Sequence, residues 1–277
     1  MDLEQIIQEA YKEDLPTGDL TTDSLNLKGV CDARLVAKED LVLAGREVYE
    51  ACARFMAPEA KLNWQFADGD FILKQQTVCW LKGDFAQLLK FERVALNFLG
   101  RLSGIATLTR CFVSEARGQC KILDTRKTTP LLRHWEKAAV RAGGGLNHRM
   151  NLSAAVLIKE NHQRASGGLS ASVRALRKKV QGPIEVECST LDEVKEAVRE
   201  KVQRILLDNM DNALIQQART LIPPSIEVEA SGNMQLERIA SVAALGVDYI
   251  SVGALTHSAP CADFSLLFDL PKRGALP

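Results

Sequence analysis

Between Gln119 and Gly253, short apolar runs alternate with stretches in which apolar residues recur every three or four positions. The runs KILDT (121–125), AAVLIK (154–159), IEVEC (184–188), RILLD (204–208), IEVEAS (226–231) and YISVG (249–253) read as strands. The intervening SASVRALRKKV, TLDEVKEAVREK, DNALIQQARTL and QLERIASVAALG read as amphipathic helices. Nearly continuous apolar strands alternating with such helices predict a parallel sheet covered by helices. Six of them approach what a (β/α) barrel needs, with FSLLF (264–268) a candidate further strand. An open doubly wound sheet fits the same alternation, but no GxGxxG turn follows the first strand, which weighs against a dinucleotide-binding version.

Upstream the rhythm differs. LEQIIQEAYKED carries Leu3, Ile6, Ile7 and Ala10 at helical spacing, and LPTGDLTTD after it reads as a turn. From Val30 to Lys90, β-like runs (DARLVAKEDLVLAG, KLNWQF, DFILKQQTVCWLKG) flank the helical REVYEACARFM, which predicts a small α+β unit with an antiparallel sheet. Asp68-Gly69-Asp70 reads as a hairpin turn. A long helix follows from about Phe85 to Ala116. Leu88, Phe91, Ala95, Phe98, Leu99 and Leu102 form its apolar stripe, and Arg93 lies nearly opposite. Ser103-Gly104 is a candidate bend and domain junction, so residues 1–103 and 104–277 are the expected domains.

Composition narrows the function classes. With 35 Lys+Arg against 35 Asp+Glu there is no global field for nucleic acid or an anionic membrane, so any cationic site must be local. The seven cysteines form no CxxC pair or metal-ligand spacing, which points to reduced thiols in the cytoplasm. The opening MDLEQIIQEAYKED does not read as a signal peptide, and no run approaches the length of a membrane-spanning helix.

The chemistry concentrates at the carboxyl ends of the predicted strands, where catalytic groups converge in barrel enzymes. The first ends in Asp124-Thr125-Arg126-Lys127 and the second in Lys159; the third contains Glu185 and Glu187, and the fourth ends in Asp208-Asn209. The fifth contains Glu227 and Glu229 and ends in Ser231-Gly232; the sixth carries Ser251 and Gly253. Helix capping explains any single Asp or Ser in such a place, but not six strand ends carrying both signs of charge. Arg126, Lys127, Arg149 and Lys159, with His148, suit carboxylate or phosphate oxygens. Glu187 and Asp208 are oxygen donors of the kind that bind Mg²⁺ beside a phosphate. Ser231-Gly232 and Ser251-Val252-Gly253 offer backbone N–H groups to a phosphate. A phosphorylated sugar and a carboxylated partner account for all three groups.

The motifs TRKTTP (125–130), EKAAVRAGGGLNHR (136–149), LIKENH (157–162), LLDNM (206–210), EASGN (229–233) and SVGALTHS (251–258) resemble those of the quinolinate phosphoribosyltransferase family. ERVALNFLGRLSGIAT (92–107) and LPTGDLTTD match too, so the resemblance covers nearly the whole chain. It implies an N-terminal α+β open-faced sandwich followed by an incomplete (β/α) TIM-like barrel whose last residues either stay with it or return to the first domain. It also implies an Mg²⁺-dependent, homodimeric enzyme that converts quinolinate and phosphoribosyl pyrophosphate into nicotinate mononucleotide, CO₂ and pyrophosphate. By the family's pattern, Arg126, His148, Arg149 and Lys159 hold the quinolinate carboxylates, and Arg93 reaches the neighbouring subunit's site. Lys127, Glu187 and Asp208 meet the phosphoribosyl pyrophosphate and its metal, while Ser231, Gly232, Ser251, Gly253 and His257 fall in the 5′-phosphate loops.

The chain departs from the pattern at Leu131, where the family usually has Gly, through Met150–Ala155, and at Glu160. A molybdenum-associated paralogous family shares the barrel and part of the TRKT region, and a non-catalytic barrel that binds a phosphorylated ligand is the other alternative. Loss of one of the charged residues would favour the latter; none is missing.

Overall fold

The computed structural model describes residues 2–269. The chain forms two compact units. One comprises Met1–Leu108, Thr129–Gly144 and the chain from Ala259 onward; the other comprises Thr109–Thr128 and Gly145–Ser258. The junction expected at 103/104 falls within one continuous helix, α4 (Phe85–Glu115).

The first unit begins with α1 (Leu3–Asp14), whose N-terminal amides are satisfied by a capping box between Asp2 and Gln5. LPTGDLTTD is not simply a turn: Asp19 accepts hydrogen bonds from the N–H groups of Thr21 and Thr22 and starts α2 (Leu20–Leu25). There follow β1 (Val30–Ala37), β2 (Leu41–Val42), α3 (Arg46–Met56), β3 (Lys61–Trp64), β4 (Phe71–Ile72) and β5 (Thr77–Asp84). The unit also holds α5 (Arg133–Ala142) and β12 (Phe264–Asp269). The antiparallel sheet runs β12-β1-β5-β3. Along β5 the buried Val78, Cys79 and Leu81 are followed by alternation with exposed Trp80 and Lys82, the mark of a sheet covered on one face. Tyr49 of α3 is fully buried, edge-on to Phe91 of α4 at 4.9 Å between ring centroids.

Two expectations need correction here. FSLLF does not extend the barrel: β12 pairs antiparallel with β1, from Ala37↔Phe264 to Asp32↔Asp269. Asp68-Gly69-Asp70 does not close a β3–β4 hairpin, because β3 pairs with β5 and β4 with β2. The Asp68 carboxylate instead accepts from the N–H groups of Gly45 and Arg46, at 3.1 and 3.3 Å, where α3 begins.

Ser103 and Gly104 leave α4 unbroken and serve close packing instead. The Ser103 hydroxyl lies 3.1 Å from both the N–H and the carbonyl of Ala44. A Cβ on Gly104 would overlap the carbonyl oxygen of Pro260. Gly104→Ala should therefore destabilise the protein by about 3 kcal/mol, the upper end for overpacking, because backbone must move. An unchanged urea midpoint would show that the two segments are not this close.

The second unit carries the expected parallel sheet. Its strands are β6 (Lys121–Leu123), β7 (Val156–Ile158), β8 (Ile184–Cys188), β9 (Arg204–Asp208), β10 (Glu227–Ser231) and β11 (Tyr249–Ser251). Helices α6 (Glu160–Ser166), α7 (Leu169–Arg177), α8 (Leu191–Arg199), α9 (Asn212–Leu221), α10 (Leu236–Ala243) and α11 (Ala254–His257) intervene. The order is β6-β11-β10-β9-β8-β7, and among the described strands β6 and β7 do not pair, so the barrel is incomplete. Register places Asp208 beside Ser231, Ser231 beside Ser251, and Ser251 beside Leu123. The carboxyl ends of four neighbouring strands thus lie level, which assembles the site.

Candidate active site

A cavity of about 610 Å³ opens in the second unit, within the usual range for small-molecule sites. Every residue given a substrate or metal role in the sequence lines it except Arg93, which is an exposed residue of α4 in the first unit. Neither acid is the N-cap residue of the helix that follows its strand. Thr190 caps α8, and Asp211 caps α9 with its carboxylate 2.8 Å from the Leu214 N–H. Capping therefore does not account for Glu187 or Asp208.

The cationic side is built on Asp124, which is fully buried. One carboxylate oxygen takes the Asn147 side-chain amide at 2.6 Å and the other the His148 N–H at 2.8 Å. Leu146 extends the sheet beside β6, its N–H 2.8 Å from the Ile122 carbonyl. This lashing sets the position of His148 and Arg149. The Arg149 guanidinium donates to the Ala155 carbonyl at 3.0 Å, across the turn made by the departing segment Met150–Ala155. Burial, then the neighbouring charge of Arg126, lowers the Arg149 pKa. Two guanidiniums that repel each other in a half-buried site favour a bound dianion. Lys127 is held by its backbone: its N–H meets the Thr125 hydroxyl at 3.1 Å, and its carbonyl accepts from the Thr256 hydroxyl at 2.8 Å.

Lys159, expected on a substrate carboxylate, and Glu187, expected at the metal, stand in direct contact as an ion pair. Asp208 has its pKa raised, first by burial and then by the charge of Glu187. Two carboxylates facing one cavity are a donor set of the kind that holds Mg²⁺. Asn209 donates its side-chain amide to Asp208 at 2.7 Å and has a φ of +55°.

At the carboxyl end of β10, Gly232 has a φ of +92° and abuts Asn209. Gly253 lies against His257 and Lys127, and the His257 ring is 2.6 Å from the Ser258 hydroxyl. The hydroxyl of Ser251 is buried and donates to Glu229. Arg133, Lys137 and Arg141, the cations between Lys127 and Arg149 in sequence, lie on α5 in the first unit. Lys137 is fully buried there, as is Glu136, which binds the Arg101 guanidinium at 2.9 Å and the Thr129 hydroxyl at 2.7 Å. Lys137 is thus an interior charge, whereas Arg141 is exposed. Leu131, at the usual glycine position, has a φ of +68°, which explains why glycine suits that place.

Sequence reasoning gave no role to Glu185 and Glu229, which are buried beside His148 on β8 and β10. Burial and then the charge of Glu185 push the Glu229 carboxyl up to about 7 against the pull of His148. Burial pulls the His148 pKa down, but the two glutamates outweigh it and the net shift is upward. The signal available was the Glu-x-Glu spacing, since a period of two places both residues of each pair on one face of a strand.

A helix-covered parallel barrel with clustered cations, paired acids and glycine-containing loops at its strand ends defines an enzyme that works on phosphorylated, anionic substrates. The models of the quinolinate phosphoribosyl transferase N-terminal and C-terminal domains match residues 19–103 and 105–267. The chain belongs to the quinolinate phosphoribosyltransferase family. It is 38% identical to a probable nicotinate-nucleotide pyrophosphorylase (carboxylating) of Bacillus subtilis, over 96% of this chain and 93% of that one. It is 39% identical to the chloroplastic enzyme of Arabidopsis thaliana, over 97% and 83%. The crystal structure of nicotinate-nucleotide pyrophosphorylase from Ehrlichia chaffeensis superposes with a TM-score of 0.93 at 36% identity, covering 97% of this chain and 99% of that one. Among the described residues no helix is long and apolar enough to cross a membrane.

Proposed function

We propose that the cavity residues divide the reaction of this quinolinate phosphoribosyltransferase as follows. The enzyme joins quinolinate to phosphoribosyl pyrophosphate and yields nicotinate mononucleotide, CO₂ and pyrophosphate, a step of NAD biosynthesis. Arg126, Arg149 and Lys159 hold the two carboxylates, with Lys159 exchanging its contact with Glu187 for the substrate. His148, expected among them, turns Nδ1 to the Arg149 N–H and Nε2 to Glu185 and Glu229, so it supports the clamp instead of binding the substrate. Gly232 and Gly253, with Ser231 and the backbone at Ser251, receive the 5′-phosphate, and His257 flanks it. Lys127 faces the pyrophosphate and offsets the charge that grows as it leaves. Glu187 and Asp208 would hold Mg²⁺, which supplies further charge neutralisation at the diphosphate when bound.

The ring nitrogen attacks the anomeric carbon as pyrophosphate departs. The positive charge of the quaternised nitrogen then stabilises the electron pair left on the adjacent ring carbon when its carboxylate departs as CO₂, and that pair takes up a proton. Nothing here requires a protein nucleophile; orientation and electrostatics carry the rate. The observation that supports this best is the meeting of Arg126, Lys127, Arg149 and Lys159 with Glu187 and Asp208 in one cavity. With both substrates, purified protein should release pyrophosphate and CO₂ in equal amounts and stop on chelation of divalent cations. No release would favour a non-catalytic ligand-binding barrel.

A cytoplasmic location fits the seven cysteines, none of them disulfide-bonded. A homodimer would bring Arg93, exposed on α4, to a neighbour's quinolinate. Arg93→Ala and Lys127→Ala, each inactive alone, should regain up to roughly a quarter of wild-type activity when their subunits are mixed, as random pairing leaves few intact sites. No recovery despite verified exchange would remove Arg93 from the shared site.

A further inference from the structure

Beneath the carboxylate clamp lies a buried carboxylate that no step above employs. Glu185 is almost wholly enclosed; one of its oxygens has no hydrogen-bond partner among the described residues, and the other faces Nε2 of His148 at 3.5 Å. Glu229 approaches the same Nε2 at 3.5 Å, but it is also engaged by the Ser251 hydroxyl and by Arg204 at 3.4 Å. On the opposite side of the ring, Nδ1 of His148 accepts the backbone N–H of Arg149 at 2.7 Å.

That last bond decides the protonation pattern. A neutral imidazole has one donor and one acceptor nitrogen, so an accepting Nδ1 places the proton on Nε2, where the carboxylates lie. The nitrogen and oxygens of His148, Glu185 and Glu229 come within 4.8 Å of one another, close enough for a metal ion. A metal on Nε2 would, however, need its lone pair while Nδ1 is already accepting, which a neutral ring does not provide. The ring therefore serves as a link between two hydrogen bonds. Its inner end is held by glutamate, and its outer end holds the residue that carries the clamp.

The geometry points to Glu185 as a positioning residue for quinolinate: it fixes His148 as the Nε2–H donor, and His148 in turn fixes the backbone of Arg149. This rests on the assignment of Arg149 to a substrate carboxylate. Glu185 and Glu187 lie two apart on β8 and share a face, so one strand supplies an acid to the cavity mouth and another to the support below it. A buried carboxylate with a single weak partner does little for the fold. An apolar residue of its size there is neutral or stabilising. Stability and substrate affinity should thus move independently.

Glu185→Met removes the acceptor, and Glu185→Gln keeps one. In the full-length enzyme, Glu185→Met should raise the quinolinate KM about tenfold and leave the phosphoribosyl pyrophosphate KM within about twofold. Its Tm should not fall. In ¹⁵N-histidine spectra, with the His148 signal assigned by its loss in His148→Asn, wild type and Glu185→Gln should show protonated Nε2, and Glu185→Met a mixture of tautomers. Unchanged quinolinate affinity and an unchanged tautomer in Glu185→Met would overturn the inference. So would a parallel loss of both affinities with a lowered Tm. Failure of the wild-type enzyme to turn over quinolinate would instead defeat the functional reading, and the tautomer spectra remain interpretable without turnover.

Discussion

Arg149→Ala is expected to lower kcat/KM for quinolinate about a thousandfold, equivalent to ~4 kcal/mol of lost transition-state binding, with Tm unchanged or slightly raised. The asymmetry follows from the site's charge. Arg149 is half-buried near Arg126, and both burial and that second guanidinium disfavour its charged form. Arginine nevertheless stays protonated, so the empty site retains the repulsion until a dianion arrives. Deleting one guanidinium relieves the fold of that repulsion but leaves one quinolinate carboxylate without its fork-shaped partner. Arg149→Lys should recover only part of the loss, since a point charge cannot make the paired contact. Steady-state kinetics with each substrate varied, alongside thermal melts, separates the effects. Near-normal turnover by Arg149→Ala would sink the clamp assignment, and binding of phosphoribosyl pyrophosphate should be preserved throughout.

How far such a site can be read from sequence depends on the reach of the interactions that make it. β8 and β9 coincide with IEVEC and RILLD because a buried parallel strand is an apolar run with polar punctuation at its ends. β6 and β7 are shorter than read. Asp124 leaves the ladder to grip the Asn147-His148 loop, and Ala154-Ala155 belong to the turn that meets Arg149. Both shortenings come from contacts across the chain that no local pattern reports. The same holds for FSLLF: its apolar character predicts a strand, but nothing in five residues identifies β1, more than two hundred positions away, as its partner.

Chemical type was legible in the site, and connectivity was not. Cations, acids and glycines at strand ends identify an anion site, and the cavity gathers them. That Lys159 contacts Glu187, that the Ser251 hydroxyl is turned to Glu229, and that the Nε2 of His148 is directed at two glutamates are facts of orientation. Alternation along a strand says which residues share a face, but not which one stands at the mouth of the barrel and which lies beneath.

Gly232→Ala should reduce kcat/KM for phosphoribosyl pyrophosphate about a hundredfold, ~2.7 kcal/mol in transition-state terms, and a second glycine shows why the loss is specific. Gly232 has a φ of +92°, and a Cβ there would run into the Asn209 side chain and come within 2.8 Å of its backbone nitrogen. Gly246 has a comparable φ of +77°, and a Cβ there would meet nothing within 4 Å. Alanine at either place meets the left-handed backbone penalty of roughly 1–2 kcal/mol. Only at Gly232 must the loop also shift, and it shifts against the residue whose amide holds Asp208 at 2.7 Å. The phosphate loop and the acid would be displaced together. Gly246→Ala should accordingly lose stability and keep its kinetics, whereas Gly232→Ala should lose both. Equal kinetic losses in the two variants would mean that backbone strain alone disturbs the site. Full activity in Gly232→Ala would mean that the 5′-phosphate does not rest on this loop.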